Sequence, residues 1–256
     1  MLESTFIFLK GIGESTEKRL WENGINTWDT FLASPTIPYI SPARKILYDR
    51  EVEQATENLT TRNAKFFARR LKPRDHWRLF KAFRSRTAFL DIETTGDPPE
   101  TGEITLVGIY GNGSMTTLVR GESLNGPRLN HELAQYDLLV TFFGSGFDLP
   151  YIRTKFPGVV LDHPHFDLCF AARRLGYKGG LKHIEHVVGL QRPMHLEGLS
   201  GWDAVQLWRA WCAGDCRASE KLREYNEADT KNLEPLAEFL YDKLVQHYRS
   251  GRNTLV

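Results

Sequence analysis

The residues best placed to do chemistry close an apolar run. Ala88, Phe89 and Leu90 are followed by Asp91, Ile92 and Glu93, then by Thr94, Thr95 and Gly96. Such a run reads as a buried strand. Side chains two apart on a strand share a face, so Asp91 and Glu93 should stand side by side while Ile92 turns into the core. Neighbouring carboxylates repel and raise each other's pKa unless a cation joins them. A hard divalent ion such as Mg²⁺ or Mn²⁺ is the natural partner of such oxygen ligands. The plain alternative is a strand end carrying two solvated acids, and Asp-x-Glu alone does not separate the two.

Two other places carry candidate groups. Gly144 and Gly146 permit a tight strand-to-helix turn, and Asp148 follows Phe147 in the first turn of the next helix. An acid there can also simply answer the helix dipole. Further on, Tyr225 and Asp229 lie four apart in a strongly helical stretch and therefore on one face, which is also a common surface pairing.

Together, Asp91-x-Glu93, Phe147-Asp148 and Tyr225-x-x-x-Asp229, in this order on an α/β pattern, resemble the DEDD exonucleases of the RNase H-like superfamily. The tyrosine marks the DEDDy branch. The sister branch has a histidine five residues before the last aspartate, where this chain has Glu224. The resemblance covers roughly residues 87–248, and the run LSGWDAVQLW at 199–208 makes it most similar to the YprB-like ribonuclease H family. It implies a metal-dependent 3′–5′ exonuclease that hydrolyses phosphodiester bonds, with single-stranded DNA or RNA as the first expectation. It also implies that Asp91, Glu93, Asp148 and Asp229 hold two divalent ions, Mg²⁺ or Mn²⁺, for two-metal phosphoryl transfer, with Asp91 bridging them. Tyr225 would orient the attacking water, since a phenol with a pKa of about 10 is a poor base. Two other readings stay open: a weakly active or inactive nucleic-acid-binding or interaction protein on the same fold, and a structure-specific endonuclease.

The elements that must position these groups divide near residue 86. Residues 87–256 alternate strands and helices: strands at 87–93, 104–110, 115–120, 138–143 and 159–161, and helices near 128–135, 168–175, 181–188, 201–212 and 217–247. This is an α/β pattern with a mixed sheet and flanking helices. Residues 1–86 read as a small all-helical region, with helical sequence from 42 to about 71 and a further helix from Asp75. Lys10-Gly11-Ile12-Gly13 resembles a helix-hairpin-helix turn, whose glycines would take positive φ and offer helix N–H groups to a phosphate. Glu14 and Glu17 oppose an anion there.

The net charge of +1 conceals an asymmetry. Residues 1–86 hold 16 Lys/Arg against 10 Asp/Glu, and the remainder holds 17 against 22. Residues 62–86 contain ten basic residues and one acid, Asp75, which fits either a solvated helix face or a stripe that meets phosphates. Lys10, Gly11, Gly13, Arg69, Arg70 and Arg74 are the N-terminal candidates for nucleic-acid contact, joined by Lys182 at the start of a later helix.

Other features read as structural. Asp167 looks like a helix N-cap, His163 and His165 flank Pro164 in a loop, and Cys212 and Cys216 look like packing thiols at a helix boundary. Three cysteines are too few and too scattered for a zinc site or disulfide framework. No apolar run approaches the roughly 18 residues of a membrane span, and the N-terminus lacks a signal-peptide pattern. A cytoplasmic protein without a membrane partner is the expectation, its partner being nucleic acid.

Overall fold

The computed structural model describes residues 1–250. Residues 251–256, which end the span expected for the α/β region, lie outside the described residues. Five strands form one sheet in the order β3-β2-β1-β4-β5. They are β1 (Thr87–Thr94), β2 (Ile104–Gly111), β3 (Ser114–Val119), β4 (Leu138–Thr141) and β5 (His165–Asp167). β1 pairs antiparallel with β2 and parallel with β4, so the sheet is mixed, as the element pattern led us to expect. The β2–β3 hairpin turns at Asn112-Gly113, both with positive φ, which matches the right-handed strand twist.

Alternation along β1 divides its side chains between two layers. Leu90 and Ile92 enter a core with Leu149 and Ile152 of α6 (Asp148–Lys155) and Leu129 and Leu133 of α5 (Gly126–Leu133). Phe89 faces the opposite layer, where the 35-residue α10 (Cys216–Ser250) contributes Leu233, Leu236, Leu240 and Leu244. Asp91 and Glu93, two and four residues beyond Phe89, therefore open toward α10. α7 (Leu168–Arg174) and α8 (Leu181–Val188) share that layer, and α9 (Gly201–Cys212) packs against both α10 and β1. Among the described residues no helix is long and apolar enough to cross a membrane.

The N-terminal helices α1 (Glu14–Glu22), α2 (Trp28–Ala33), α3 (Pro42–Thr60) and α4 (Ala64–Ala68) join the same apolar layer through Leu20, Trp28, Phe31, Val52 and Phe67, with Phe6 and Phe83 from the segments on either side. Phe80 contacts Phe89, Phe166 and Tyr241, so one continuous core crosses residue 86. Its centre is an ion pair. Arg78 is 0% exposed and Glu17 1%, their side chains 2.9 Å apart, and Glu17 also accepts from the Phe6 and Ile7 amides.

Several sequence expectations fail for local reasons. Residues 159–161 form no strand: Val159 packs under α5 and α6, and the Val160 amide donates to Asn130 at 2.8 Å. The fifth strand is instead the three-residue β5, which has too little periodicity to be read alone. The helix expected from 42 to 71 breaks after Thr60, where Arg62 takes φ 54° and Asn63 caps α4. The segment Pro73–Leu79 is a 3₁₀ helix. Cys212 and Cys216 are exposed rather than packed. In the Gly11–Gly13 turn only Gly11 has positive φ; Gly13 is extended, and only the three-residue 3₁₀ turn Leu2–Ser4 precedes the hairpin.

Candidate active site

Asp91, Glu93 and Asp229 each present an oxygen, and these three atoms lie within 4.8 Å of one another. The strand supplies the first two and α10 the third. What lets α10 approach is Gly108, the β2 residue opposite Asp91. A Cβ there would lie 2.4 Å from Asn226 Oδ1 and from Thr230 Oγ1, both on α10. A glycine inside a strand is the sequence signal for such a close approach. Asn226 then donates to Asp91 Oδ2 at 2.9 Å.

Asp148 arrives from the other layer. It is buried at the start of α6 and accepts from the Ile92 amide at 3.2 Å. That bond ties α6 to β1 beside the cluster, while Asp148 stays outside the tight group of three.

Burial and crowding act on these acids together. Burial, then the charges of Glu93, Asp229 and Asp148, hold the Asp91 carboxyl well above its usual range. Burial, then Asp229, do the same for Glu93. Burial lifts Asp148 to about 7 against the opposing pull of its backbone N–H donors. Clustered acids whose ionisation is this unfavourable, all of them oxygen donors, fit a hard divalent cation.

Tyr225 is buried on α10 one turn before Asp229. Burial, then the charges of Asp229, Glu93 and Asp91, push its phenol pKa up, so in this state it is a hydrogen-bonding group and not a base. Lys182 Nζ donates to Tyr225 Oη and lies 3.9 Å from Asp229 Oδ2.

Sequence reasoning missed Arg192 and Glu185. Arg192 Nη1 donates to Asp229 Oδ1, and its other nitrogens grip Glu185, with Nη2–Oε1 at 2.9 Å. Glu185 is 1% exposed and shares a face of α8 with Lys182, three residues earlier. That spacing was the available signal, but it looks like any solvated helix pair.

The carboxylates open into a cavity of about 390 Å³, whose walls include Thr94, Phe147, Trp202 and Val205. Phe147 and Trp202 are exposed large apolar side chains at its margin.

The N-terminal candidates are elsewhere. Lys10 is exposed, and its carbonyl accepts from Tyr48 Oη at 2.8 Å. Arg69 and Arg70 lie at the C-terminal end of α4, Arg70 stacked 3.7 Å over Phe66. Arg74 pairs with Glu14 at 2.9 Å. Much of the basic run is internally matched: Lys65 with Asp162, Arg78 with Glu17, Lys81 with Glu238, Arg84 with Glu234 and Glu238, and Arg86 with Asp137.

A family model described as RNase_H superfamily matches residues 88–241. No curated protein matches the chain. Among solved structures, the chain is similar to the family B DNA polymerase of the hyperthermophilic archaeon Pyrobaculum calidifontis, at 16% identity and a TM-score of 0.52. That likeness covers 64% of this chain and only 25% of the polymerase. A structure described as the apo form of the nuclease aligns at 21% identity and a TM-score of 0.49, covering 65% of this chain and 77% of that one. Brucella melitensis NrnC aligns at 19% identity and a TM-score of 0.47, covering 67% and 80% respectively.

Proposed function

The chain belongs to the RNase H superfamily, and we propose that it is a metal-dependent nuclease: a DEDDy-type 3′–5′ exonuclease that cuts single-stranded DNA or RNA. The observation that carries this reading is the convergence of Asp91, Glu93 and Asp229 in an open cleft, beside a buried Tyr225. Asp91, Glu93 and Asp229 would hold divalent cations, with Asp148 alongside them. Bound there, Mg²⁺ or Mn²⁺ would supply a nucleophilic water at neutral pH and stabilise charge on the phosphoryl group. Asn226 holds Asp91 in place through its 2.9 Å hydrogen bond. Arg192 holds Oδ1 of Asp229 and Lys182 lies 3.9 Å from Oδ2, so a bound cation would share this carboxylate with both. Tyr225, hydrogen-bonded by Lys182, can fix a water or a phosphate oxygen by its hydroxyl. Phe147 and Trp202 at the cleft margin suit unstacked bases better than a duplex.

One observation favours a second reading, a nucleic-acid-binding protein with little activity. Arg192 and Lys182 already offset Asp229 without a metal. End-labelled single- and double-stranded DNA and RNA, incubated with Mg²⁺, Mn²⁺ or EDTA, decide between them. The nuclease reading expects a ladder receding from the 3′ end, abolished by EDTA. A few discrete internal cuts would indicate an endonuclease, and retained substrate with tight binding would indicate the binding protein.

A further inference from the structure

A second cavity lies apart from the one at the carboxylates. About 470 Å³ in volume, it lies between the 3₁₀ segment Pro73–Leu79 and α7, and its walls include Arg74, Trp77, Phe170, Arg173 and Arg174. It opens at the C-terminal ends of β4 and β5, the sheet edge on which β1 presents Asp91 and Glu93. With neighbouring strands about 4.8 Å apart, β5 ends roughly 10 Å from β1 across the intervening β4. A chain crossing that edge can occupy both cavities.

Two features of its lining are unmatched within the protein. Arg173 is exposed and, among the described residues, has no ion pair or hydrogen bond; its guanidinium lies 5.5 Å from the Phe170 ring and 5.9 Å from the Phe143 ring. By contrast, Arg74 is held by Glu14 and Asp75, and Arg174 by Tyr248, Asp75 and the Arg74 carbonyl. Phe170 is 46% exposed beside Phe143, their ring centroids 6.0 Å apart. Phe143 keeps that position at φ 64°, a costly backbone for an aromatic residue. Asp167 secures the loop by accepting from the Phe143 and Ser145 amides and the Ser145 hydroxyl. Asp167 also caps α7 by accepting from the Cys169 amide.

An exposed guanidinium without a counter-ion, lying over an exposed aromatic pair, suits an anion that carries a flat ring. We propose that this cavity is a subsite for a nucleotide of the substrate strand, upstream of the bond cut at Asp91, Glu93 and Asp229. The base stacks on Phe170, and the phosphate meets Arg173. The assignment rests on the nuclease reading and adds to it a single-stranded substrate several nucleotides long. It also gives Arg74 a place: it forms the cavity wall but is neutralised by Glu14, so Arg173 carries the phosphate contact.

The test is fluorescence anisotropy on the full chain in EDTA, using labelled DNA and RNA oligonucleotides of about 12 residues, within the usual site sizes for single strands. Cleavage of a dinucleotide with Mg²⁺ is measured in parallel. Phe170→Ala should weaken binding of DNA, RNA or both by about tenfold, the usual scale of one base–aromatic stack. Arg173→Ala should flatten the slope of log affinity against log salt by about 0.7, the value for one single-strand phosphate contact. Both side chains are exposed, so folding should be unaffected, and dinucleotide cleavage should match the parent. Unchanged affinity and slope in both variants, or an equal loss on the dinucleotide, would overturn the subsite. If the parent binds oligonucleotides through these residues but cleaves nothing, the nuclease reading fails and the subsite stands. If the parent cleaves and the variants bind as it does, only the subsite fails; if the parent neither binds nor cleaves, both fail.

Discussion

Two buried charge clusters in this molecule are built on opposite principles. At the N-terminal core, Glu17 and Arg78 match one to one, and the Phe6 and Ile7 amides complete the shell of Glu17. At the sheet edge, Asp91, Glu93 and Asp229 crowd together; of these three only Asp229 forms ion pairs with Lys182 and Arg192, and Arg192 is shared with Glu185. A matched pair fastens a fold. An acid excess is unstable by itself, so it is a place where an added cation does something. The same matching accounts for part of the basic run. Arg78, Arg84 and Arg86 are basic because Glu17, Glu234, Glu238 and Asp137 await them, and only the folded chain places those acids opposite.

The largest expected effect comes at the acid cluster. Asp91→Asn should bring cleavage below detection in an end-labelled assay while the metal-free protein melts at an equal or higher temperature, because one repelling charge is gone. Next, Tyr225→Phe should lower the catalytic rate by about 10²–10⁴-fold, the range for a positioned acid–base or orienting group. Mn²⁺ affinity, measured by calorimetry, should change little. A parent-like rate would make Tyr225 a packing residue of α10.

The matched pair should respond in the opposite sense. Arg78→Met strands a buried Glu17 carboxylate and should cost about 3–5 kcal/mol in urea denaturation, the usual penalty for breaking a buried pair. A neutral result would remove the contrast between the clusters. Arg192→Met is intermediate, since it strands Glu185 and leaves Asp229 with Lys182 alone. The metal-free variant should melt lower than the parent and gain more from added Mg²⁺ in a thermal-shift assay, because a ligand that binds only the folded state stabilises it.

The smallest effect is on pH. Burial, only partly opposed by Asp167, lowers the His165 pKa from 6.5 to about 4. The unfolded chain therefore binds a proton there between those values and the folded chain does not, so stability should be full above 6.5 and fall as pH drops toward 4. His165→Asn should reduce that slope in denaturation midpoints measured across this window.

Where periodicity was strong, the sequence was a good guide. The strands of the β2–β3 hairpin, α8 and α9 lie within a residue or two of where their patterns placed them, and Ile92 turns inward as alternation required. β5 was illegible because His165, Phe166 and Asp167 have no alternation of their own; pairing with Leu139, Val140 and Thr141 is what makes them a strand. In the site, carboxylates spaced by two or four residues could be read from geometry. Arg192 could not: it lies in an irregular segment, and its link to Asp229 spans 37 residues. Gly108 carried a usable hint, since a glycine in mid-strand leaves room for something, but the sequence does not say that Asn226 fills it.

The central claim is that the acid excess is a divalent-cation site, and calorimetric titration of Mn²⁺ into the metal-free chain tests it without relying on catalysis. We expect saturable binding to the parent, a raised melting temperature on loading, and loss of both in Asp91→Asn with the fold intact by circular dichroism. Equal binding in parent and variant, or none in the parent, would contradict it.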